Sequence, residues 1–128
     1  MNLRPSLEEF RRLAEGGNLV PVVAEIVSDV ETPVGAFQKI GREGSSFLFE
    51  SAERNEESGR FSFIGIDPLL LVSQRNGELT IREKNGKVSK HSTSDPLADL
   101  QRILAEFHLV PRHEIPHFQG GVDRKSVV

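Results

Sequence analysis

A carboxylate and a hydroxyl stand side by side at the point where an apolar run of this sequence ends. Phe47, Leu48 and Phe49 are followed directly by Glu50 and Ser51. A carboxylate can pair with an ammonium group, and a hydroxyl can donate or accept a hydrogen bond. Apolar residues beside them would cover the rest of a small ligand. The pattern therefore predicts a small-molecule binding site at the end of a buried strand, formed by Phe49, Glu50 and Ser51.

Arg60 is the fourth candidate residue of this site. It begins the next apolar run, after an acidic stretch at residues 53–59, and its guanidinium could bind a carboxylate. Two simpler interpretations stay open. Glu50 and Ser51 could be an ordinary strand end, with the carboxylate in solvent and the hydroxyl bonded to backbone. Arg60 could form a surface ion pair with Glu56 or Glu57, which would contribute little energy.

Other recognisable chemistry is absent from the sequence. There is no phosphate-binding P-loop, no GxGxxG and no HExxH motif. His113 and His117 have the spacing of metal ligands on a helix, but Pro111 and Pro116 disfavour a helix here. We therefore predict loop histidines, no metal site and no catalytic residue within the chain.

The composition is that of one globular domain without a nucleic-acid or membrane partner. The chain has 128 residues, of which 37% are hydrophobic and 27% charged, and its net charge is −3. It contains no cysteine, so disulfides and thiolate chemistry are excluded. Neither a signal-peptide pattern nor an apolar stretch near the ~20 residues needed to span a bilayer occurs. We expect a cytoplasmic protein.

Three helices are predicted from their N-terminal caps. Ser6 and Glu9 form a capping box ahead of an apolar helical pattern that ends at two glycines. Thr32 and Asp95 are each followed by proline, which is favoured at the first position of a helix. An apolar stripe with helical spacing follows Asp95.

Strands are predicted where β-branched and aromatic residues cluster. The predicted strands cover residues 19–27, 46–52, 60–66, 69–75, 78–84 and 87–90. Asn76-Gly77 and Asn85-Gly86 separate the last three, and Asn-Gly is typical of two-residue type I′ hairpins. The fold class expected is α+β with a mainly antiparallel sheet. The run 69–72 is apolar at every position, so both faces need cover, as in a larger two-layer or sandwich-like subunit.

Five segments in this order resemble the N-terminal part of anthranilate synthase component I, the large chorismate-binding subunit. They are NLVPVVAEI, ETPVGAFQKI, FLFESAE, GRFSFIGIDP and FQGG, and the resemblance covers residues 5–122. Para-aminobenzoate synthase component I is a similar family and stays open as an alternative. A third hypothesis is a non-enzymatic module that binds an amino acid, which would make the chain a binding protein and not part of an enzyme.

The resemblance implies an enzyme of tryptophan biosynthesis. The family converts chorismate to anthranilate and pyruvate with Mg²⁺ and with ammonia, which a separate glutamine amidotransferase subunit supplies. In the family the chorismate and Mg²⁺ sites lie in the C-terminal portion of the subunit. This chain by itself is therefore expected to be catalytically inactive and to hold no cofactor.

The resemblance also implies a feedback site for L-tryptophan. The family carries an LLES-type motif there, which corresponds to residues 48–51, with Phe49 in place of the usual leucine. Glu50 would then lie near the ligand ammonium, Ser51 would be a close polar contact, and Arg60 falls near a basic position of the same site.

After FQGG the sequence departs from the family pattern. We therefore expect a family region at 1–122 and a non-native or truncation tail at 123–128.

Overall fold

The computed structural model describes residues 2–41, 44–50, 61–113 and 119–124. The chain divides into two compact units, each of which contains both helical and strand structure. The first unit comprises Met1–Val27 and Asp95–Val128, and the second is Ser28–Ser94. The predicted site at the end of the Phe47 run belongs to the second unit.

The first unit is mostly helical in its regular structure. Its elements are β1 (Leu3–Arg4), α1 (Leu7–Leu13), β2 (Val23–Ala24) and α3 (Pro96–Ala105), with a 3₁₀ turn (Ala14–Gly16) directly after α1. Both helices begin at the predicted caps, because Ser6 Oγ accepts from the Glu9 N–H at 3.3 Å and Asp95 Oδ1 accepts from the Ala98 N–H at 3.1 Å. Within the described residues, α3 has ten residues and no helix is long and apolar enough to cross a membrane.

Asn18 joins the segment after α1 to the segment after α3. Its side-chain Nδ2 donates to the Glu106 carbonyl at 2.6 Å, and its Oδ1 accepts from the His108 N–H at 2.6 Å. The backbone N–H groups of Asn18 and Leu19 both donate to the His108 carbonyl oxygen, and Val110 N–H donates to the Leu19 carbonyl. These bonds hold two segments that are about ninety positions apart in sequence.

The strand predicted at residues 19–27 is wrong over most of its length. Only Val23–Ala24 forms a strand, paired antiparallel with the two-residue β1, while Leu19 makes an isolated parallel bridge to Leu109. β-branched composition favours a strand, but a strand also needs a neighbour of matching length. Pro21 in addition lacks the N–H that a continuous ladder would use.

The second unit confirms the predicted α+β class. Its elements are α2 (Pro33–Ile40), β3 (Phe47–Glu50), β4 (Ser62–Gly65), β5 (Leu70–Arg75), β6 (Glu78–Glu83) and β7 (Val88–Ser92). The strands β3 and β4 form one antiparallel pair, which α2 contacts, and β5, β6 and β7 form an antiparallel meander. The helix α2 begins at the predicted cap, where Thr32 Oγ1 accepts from the Gly35 N–H at 3.0 Å.

The meander is covered on one face. Leu79 in β6 is 1% exposed, and Leu70 and Val72, which lie on the same face of β5, are half-buried. On the opposite face Leu71 is 44% exposed, and Leu69 just before the strand is 55% exposed. One side of the apolar run 69–72 is therefore covered, and the other side is exposed.

The turn between β5 and β6 is the predicted hairpin. Asn76 and Gly77 have φ values of 52° and 75°, and Arg75 pairs with Glu78 across the turn. Positive φ at both central positions defines a type I′ turn, which matches the right-handed twist of the strands.

The turn between β6 and β7 is different, so the type I′ prediction at Asn85-Gly86 is wrong. Here only Gly86 has positive φ, at 93°. Its N–H donates to the Glu83 carbonyl at 2.9 Å, and the Glu83 N–H donates to the Lys87 carbonyl at 2.8 Å. The connection is thus one residue longer, with glycine in the left-handed position that such turns require.

The predicted domain boundary after residue 122 stays a prediction. Residues 119–124 have no regular secondary structure, and residues 125–128 lie outside the described part of the chain.

Candidate functional site at the end of strand β3

The register of β3 and β4 decides which side chains share a face of this strand pair. Phe49 lies opposite Phe63, and Phe47 lies opposite Gly65. Directly opposite residues of an antiparallel pair project to the same side of the sheet. One side of the pair is therefore phenylalanine-rich, and we call Phe47, Phe49, Phe61 and Phe63 the aromatic face.

The rings of the aromatic face lie beside one another along each strand. The ring centroids of Phe47 and Phe49 are 4.6 Å apart, and those of Phe61 and Phe63 are 6.4 Å apart. Such tilted pairs of rings are within the favourable range for aromatic contacts. Phe49 remains 48% exposed, so the face presents an aromatic surface at its β3 end.

Gly65 provides the space for the Phe47 ring. A Cβ built on Gly65 would lie 2.7 Å from Phe47 Cδ1, with two other ring atoms closer still. A ring packed over a glycine on the neighbouring strand is a known way to fix strand pairing. The glycine is required here for space rather than for an unusual φ.

Glu50 projects from the opposite side of the pair. It is exposed, it is the last residue of β3, and it lies opposite Ser62. Because successive strand residues alternate in direction, the Phe49 ring and the Glu50 carboxylate point to different faces. A single ligand can contact both side chains only around the end of the strand, where the two faces meet.

Two of the four predicted site residues lie outside the described part of the chain. Ser51 and Arg60 are among residues 51–60, whose placement the structure does not describe. Their assignment to the site stays a prediction from the sequence.

The structure adds two residues that the sequence reasoning did not single out. Ser62 is the hydroxyl that lies beside Glu50, and Phe63 is the ring that lies beside Phe49. The signal was present as two Phe-x-Phe patterns, at 47–49 and 61–63, but their pairing depends on a register that a single sequence does not reveal.

The described side chains combine a carboxylate and a hydroxyl on one side of the strand pair with aromatic rings on the other. A carboxylate next to a hydroxyl suits an ammonium group, and phenylalanine rings suit an aromatic or apolar group. In the described ranges no group of three or more His, Asp or Glu side chains could hold a metal ion. His113 lies in a turn rather than a helix, and His117 is outside those ranges.

Comparison with curated proteins gives consistent matches over nearly the whole chain. The chain is 38% identical over 125 residues to anthranilate synthase component 1 of Aquifex aeolicus, a match that covers 95% of this chain and 25% of the relative. It is 36% identical over 121 residues to the protein of the same name from Synechocystis sp., covering 94% and 24%. The protein of that name from Acetivibrio thermocellus is 32% identical over 117 residues, covering 91% and 24%. No family model and no solved structure matches the chain.

The fold and the strand-end site define an α+β chain with a candidate small-molecule site. By sequence the chain is similar to anthranilate synthase component 1, as the resemblance of its motifs had predicted. It spans about a quarter of the length of the curated relatives it matches.

Proposed function

We propose that this chain is the N-terminal, tryptophan-sensing portion of anthranilate synthase component 1. The complete subunit would convert chorismate, with ammonia from glutamine, to anthranilate and pyruvate in tryptophan biosynthesis. The single observation that supports sensing is the exposed Glu50 carboxylate at the end of a strand whose other side carries the aromatic face. The relatives named above support the family and favour the anthranilate branch over the para-aminobenzoate branch.

In this proposal L-tryptophan binds around the end of β3. The indole ring packs on the exposed edge of the aromatic face at Phe49, and the ammonium group pairs with the Glu50 carboxylate. Such a ligand has an aromatic end and a cationic end, which matches the two chemistries that meet at the strand end. Ser51 and Arg60, the next residues of the predicted site, would contact the polar end of the ligand.

We assign catalysis to the remaining part of the complete subunit, which lies outside the region that matches this chain. The described residues contain no group of carboxylates that fits Mg²⁺, so we place the chorismate and Mg²⁺ sites in that other part. The chain alone is then inactive. The complete subunit would take ammonia from a glutamine amidotransferase partner, and we propose the cytoplasm as its location.

Tryptophan would act by favouring a low-activity state of the complete subunit. A ligand shifts a conformational equilibrium only by the difference between its affinities for the two states. The proposal therefore requires that the end of β3 and its surroundings differ between an active and an inhibited state, and that tryptophan binds the inhibited one more tightly.

Ser51→Phe in the full-length subunit is expected to relieve feedback inhibition. A phenyl ring at the end of β3 would occupy the space that the ligand needs, while the catalytic part is untouched. We expect the tryptophan concentration for half-inhibition to rise by roughly tenfold or more, within the usual range of allosteric coupling. The measurement is anthranilate formation at a series of tryptophan concentrations.

Ser45→Phe is the matched control, because Ser45 is an exposed residue in the same unit and lies before the start of β3. It should leave both the basal activity and the inhibition unchanged. If Ser51→Phe were inhibited by tryptophan like the unmodified subunit, the proposed sensing site would be wrong.

Glu50→Gln tests the ammonium contact separately from the shape of the site. The amide keeps the size of the side chain but loses the charge, so tryptophan should bind roughly tenfold more weakly, the effect of losing one modest charge-assisted bond. Calorimetric titration of the full-length subunit gives the affinity. The comparison ligand is indole-3-propionate, which lacks the amine and should bind both proteins equally. A similar loss for both ligands would contradict a pairing of Glu50 with the ammonium group.

A further inference from the structure

Two Asn-Gly pairs lie in turns of the same meander and differ in how their reactive atoms are held. We propose that Asn76 is a site of spontaneous deamidation and that Asn85, with the same following residue, is protected by its turn. The inference is independent of the proposed function. It concerns a covalent modification that the fold directs to one of two chemically identical dipeptides.

The reaction needs only the chain and water. The backbone nitrogen of the glycine attacks the asparagine side-chain Cγ, so that one C–N bond forms and the bond from Cγ to the side-chain nitrogen breaks. The glycine N–H proton leaves with that nitrogen as ammonia, and a five-membered succinimide remains. Solvent water then adds to either carbonyl of the ring and opens it to aspartate or isoaspartate. No oxidant or reductant takes part.

At Asn76 the reacting atoms are not held by hydrogen bonds among the described residues. Asn76 and Gly77 are both exposed, and within the described residues neither the Asn76 side chain nor the Gly77 N–H makes a hydrogen bond. Gly77 is held through its carbonyl instead, which accepts a hydrogen bond from the Thr93 N–H at 2.8 Å. The attacking nitrogen is therefore open to solvent bases.

At Asn85 both reacting groups are held. The Gly86 N–H donates to the Glu83 carbonyl at 2.9 Å, which occupies the nitrogen that would attack. The Asn85 Oδ1 accepts from the Lys87 N–H at 2.9 Å, which fixes the side chain in its own turn. Both bonds must break before Gly86 can reach Asn85 Cγ.

The product at Asn76 would disturb the hairpin. Aspartate adds one negative charge, and isoaspartate adds a methylene to the main chain of a two-residue turn. The register of β5 and β6 depends on that turn, since Arg75 pairs directly with Glu78. Modification at this site would thus loosen the meander of the second unit from its tip.

The test measures the two sites in one sample. The full chain is incubated at mildly alkaline pH and digested with trypsin at acidic pH, which separates Asn76 (peptide 76–82) from Asn85 (peptide 85–87). Mass spectrometry then follows the exchange of the side-chain NH₂ for OH in each peptide. We expect Asn76 to react roughly thirtyfold faster, the rate ratio that two additional hydrogen bonds of ordinary net strength would produce.

The same chain in concentrated urea is the control, because unfolding removes the hydrogen bonds that distinguish the sites. There the two rates should converge. Equal rates in buffer, or a faster reaction at Asn85, would overturn the proposal. So would a preference for Asn76 that persists in urea, since it would then come from the local sequence and not from the turns.

Discussion

Replacing Gly17 by alanine is expected to lower the free energy of unfolding of the first unit by about 1–3 kcal/mol, the usual cost of forcing extra atoms into a packed site. A Cβ on Gly17 would overlap the His108 carbonyl oxygen and lie 2.9 Å from Val110 Cγ2. The backbone of Gly17 is extended, with φ of 178°, so the penalty comes from the contact and not from the conformation.

The His108 carbonyl cannot move away cheaply from an added Cβ. Its oxygen accepts hydrogen bonds from the backbone N–H groups of Asn18 and Leu19, at 3.0 and 3.2 Å. The Asn18 side chain in turn bonds to Glu106 and to the His108 N–H. Displacing the carbonyl would weaken this set of bonds together, so residue 108 cannot shift without a loss of several hydrogen bonds.

Gly16→Ala is the matched control in the same turn. Its Cβ would meet only Val110 Cγ2, at 3.8 Å, which is an ordinary van der Waals distance. Both substitutions restrict the unfolded chain in the same way, so their difference isolates the contact. Urea unfolding, with amide hydrogen exchange to assign the loss to the first unit, makes the measurement. Equal stabilities of the two variants would contradict the close approach of residues 17 and 108.

Replacing Gly65 by alanine is expected to destabilise the second unit by a similar amount, about 1–3 kcal/mol. The added Cβ would stand inside the volume of the Phe47 ring, which lies over this glycine. The ring would have to leave its place, and its contact with Phe49 at 4.6 Å would be lost. This substitution therefore acts on the aromatic face as well as on the stability of the strand pair.

A double-mutant cycle with Phe47→Leu separates the ring from the backbone as the cause. Leucine leaves room above residue 65, so Gly65→Ala should cost much less in the Phe47→Leu background. We expect a coupling of about 1–2 kcal/mol between the two positions, within the range found for residues in contact. The free energies come from urea unfolding of the four variants. If Gly65→Ala cost the same in both backgrounds, the packing of Phe47 over Gly65 would not be the reason.

Local features of this chain could be predicted because their causes lie within a few residues. Ser6, Thr32 and Asp95 cap their helices through a backbone N–H three positions later, and the structure confirms all three. The Asn76-Gly77 hairpin is equally local, since it depends on two residues that tolerate positive φ. The resemblance to anthranilate synthase component 1 also depends on short motifs, and the comparisons with curated proteins confirm it.

Features that depend on a distant partner could not be predicted. The segment 19–27 has the composition of a strand, yet its neighbour is two residues long, so only Val23–Ala24 pairs. The same composition therefore led to the wrong element. Asn85-Gly86 lies in a turn, as its composition predicts. The turn is one residue longer than the predicted type, and the Gly86 N–H donates to the Glu83 carbonyl within it.

The sequence by itself determined the helix starts, the α+β class, the family resemblance and the chemical types at the end of β3, because capping, patterning and motifs act over a few residues. Only the tertiary structure decided that Phe49 joins Phe63 on one side while Glu50 joins Ser62 on the other, and that Asn18 bridges to Glu106 and His108. Register and long-range hydrogen bonds are set by which segments meet in space. A shift of one residue would reverse every face, and no local signal in the chain encodes that choice.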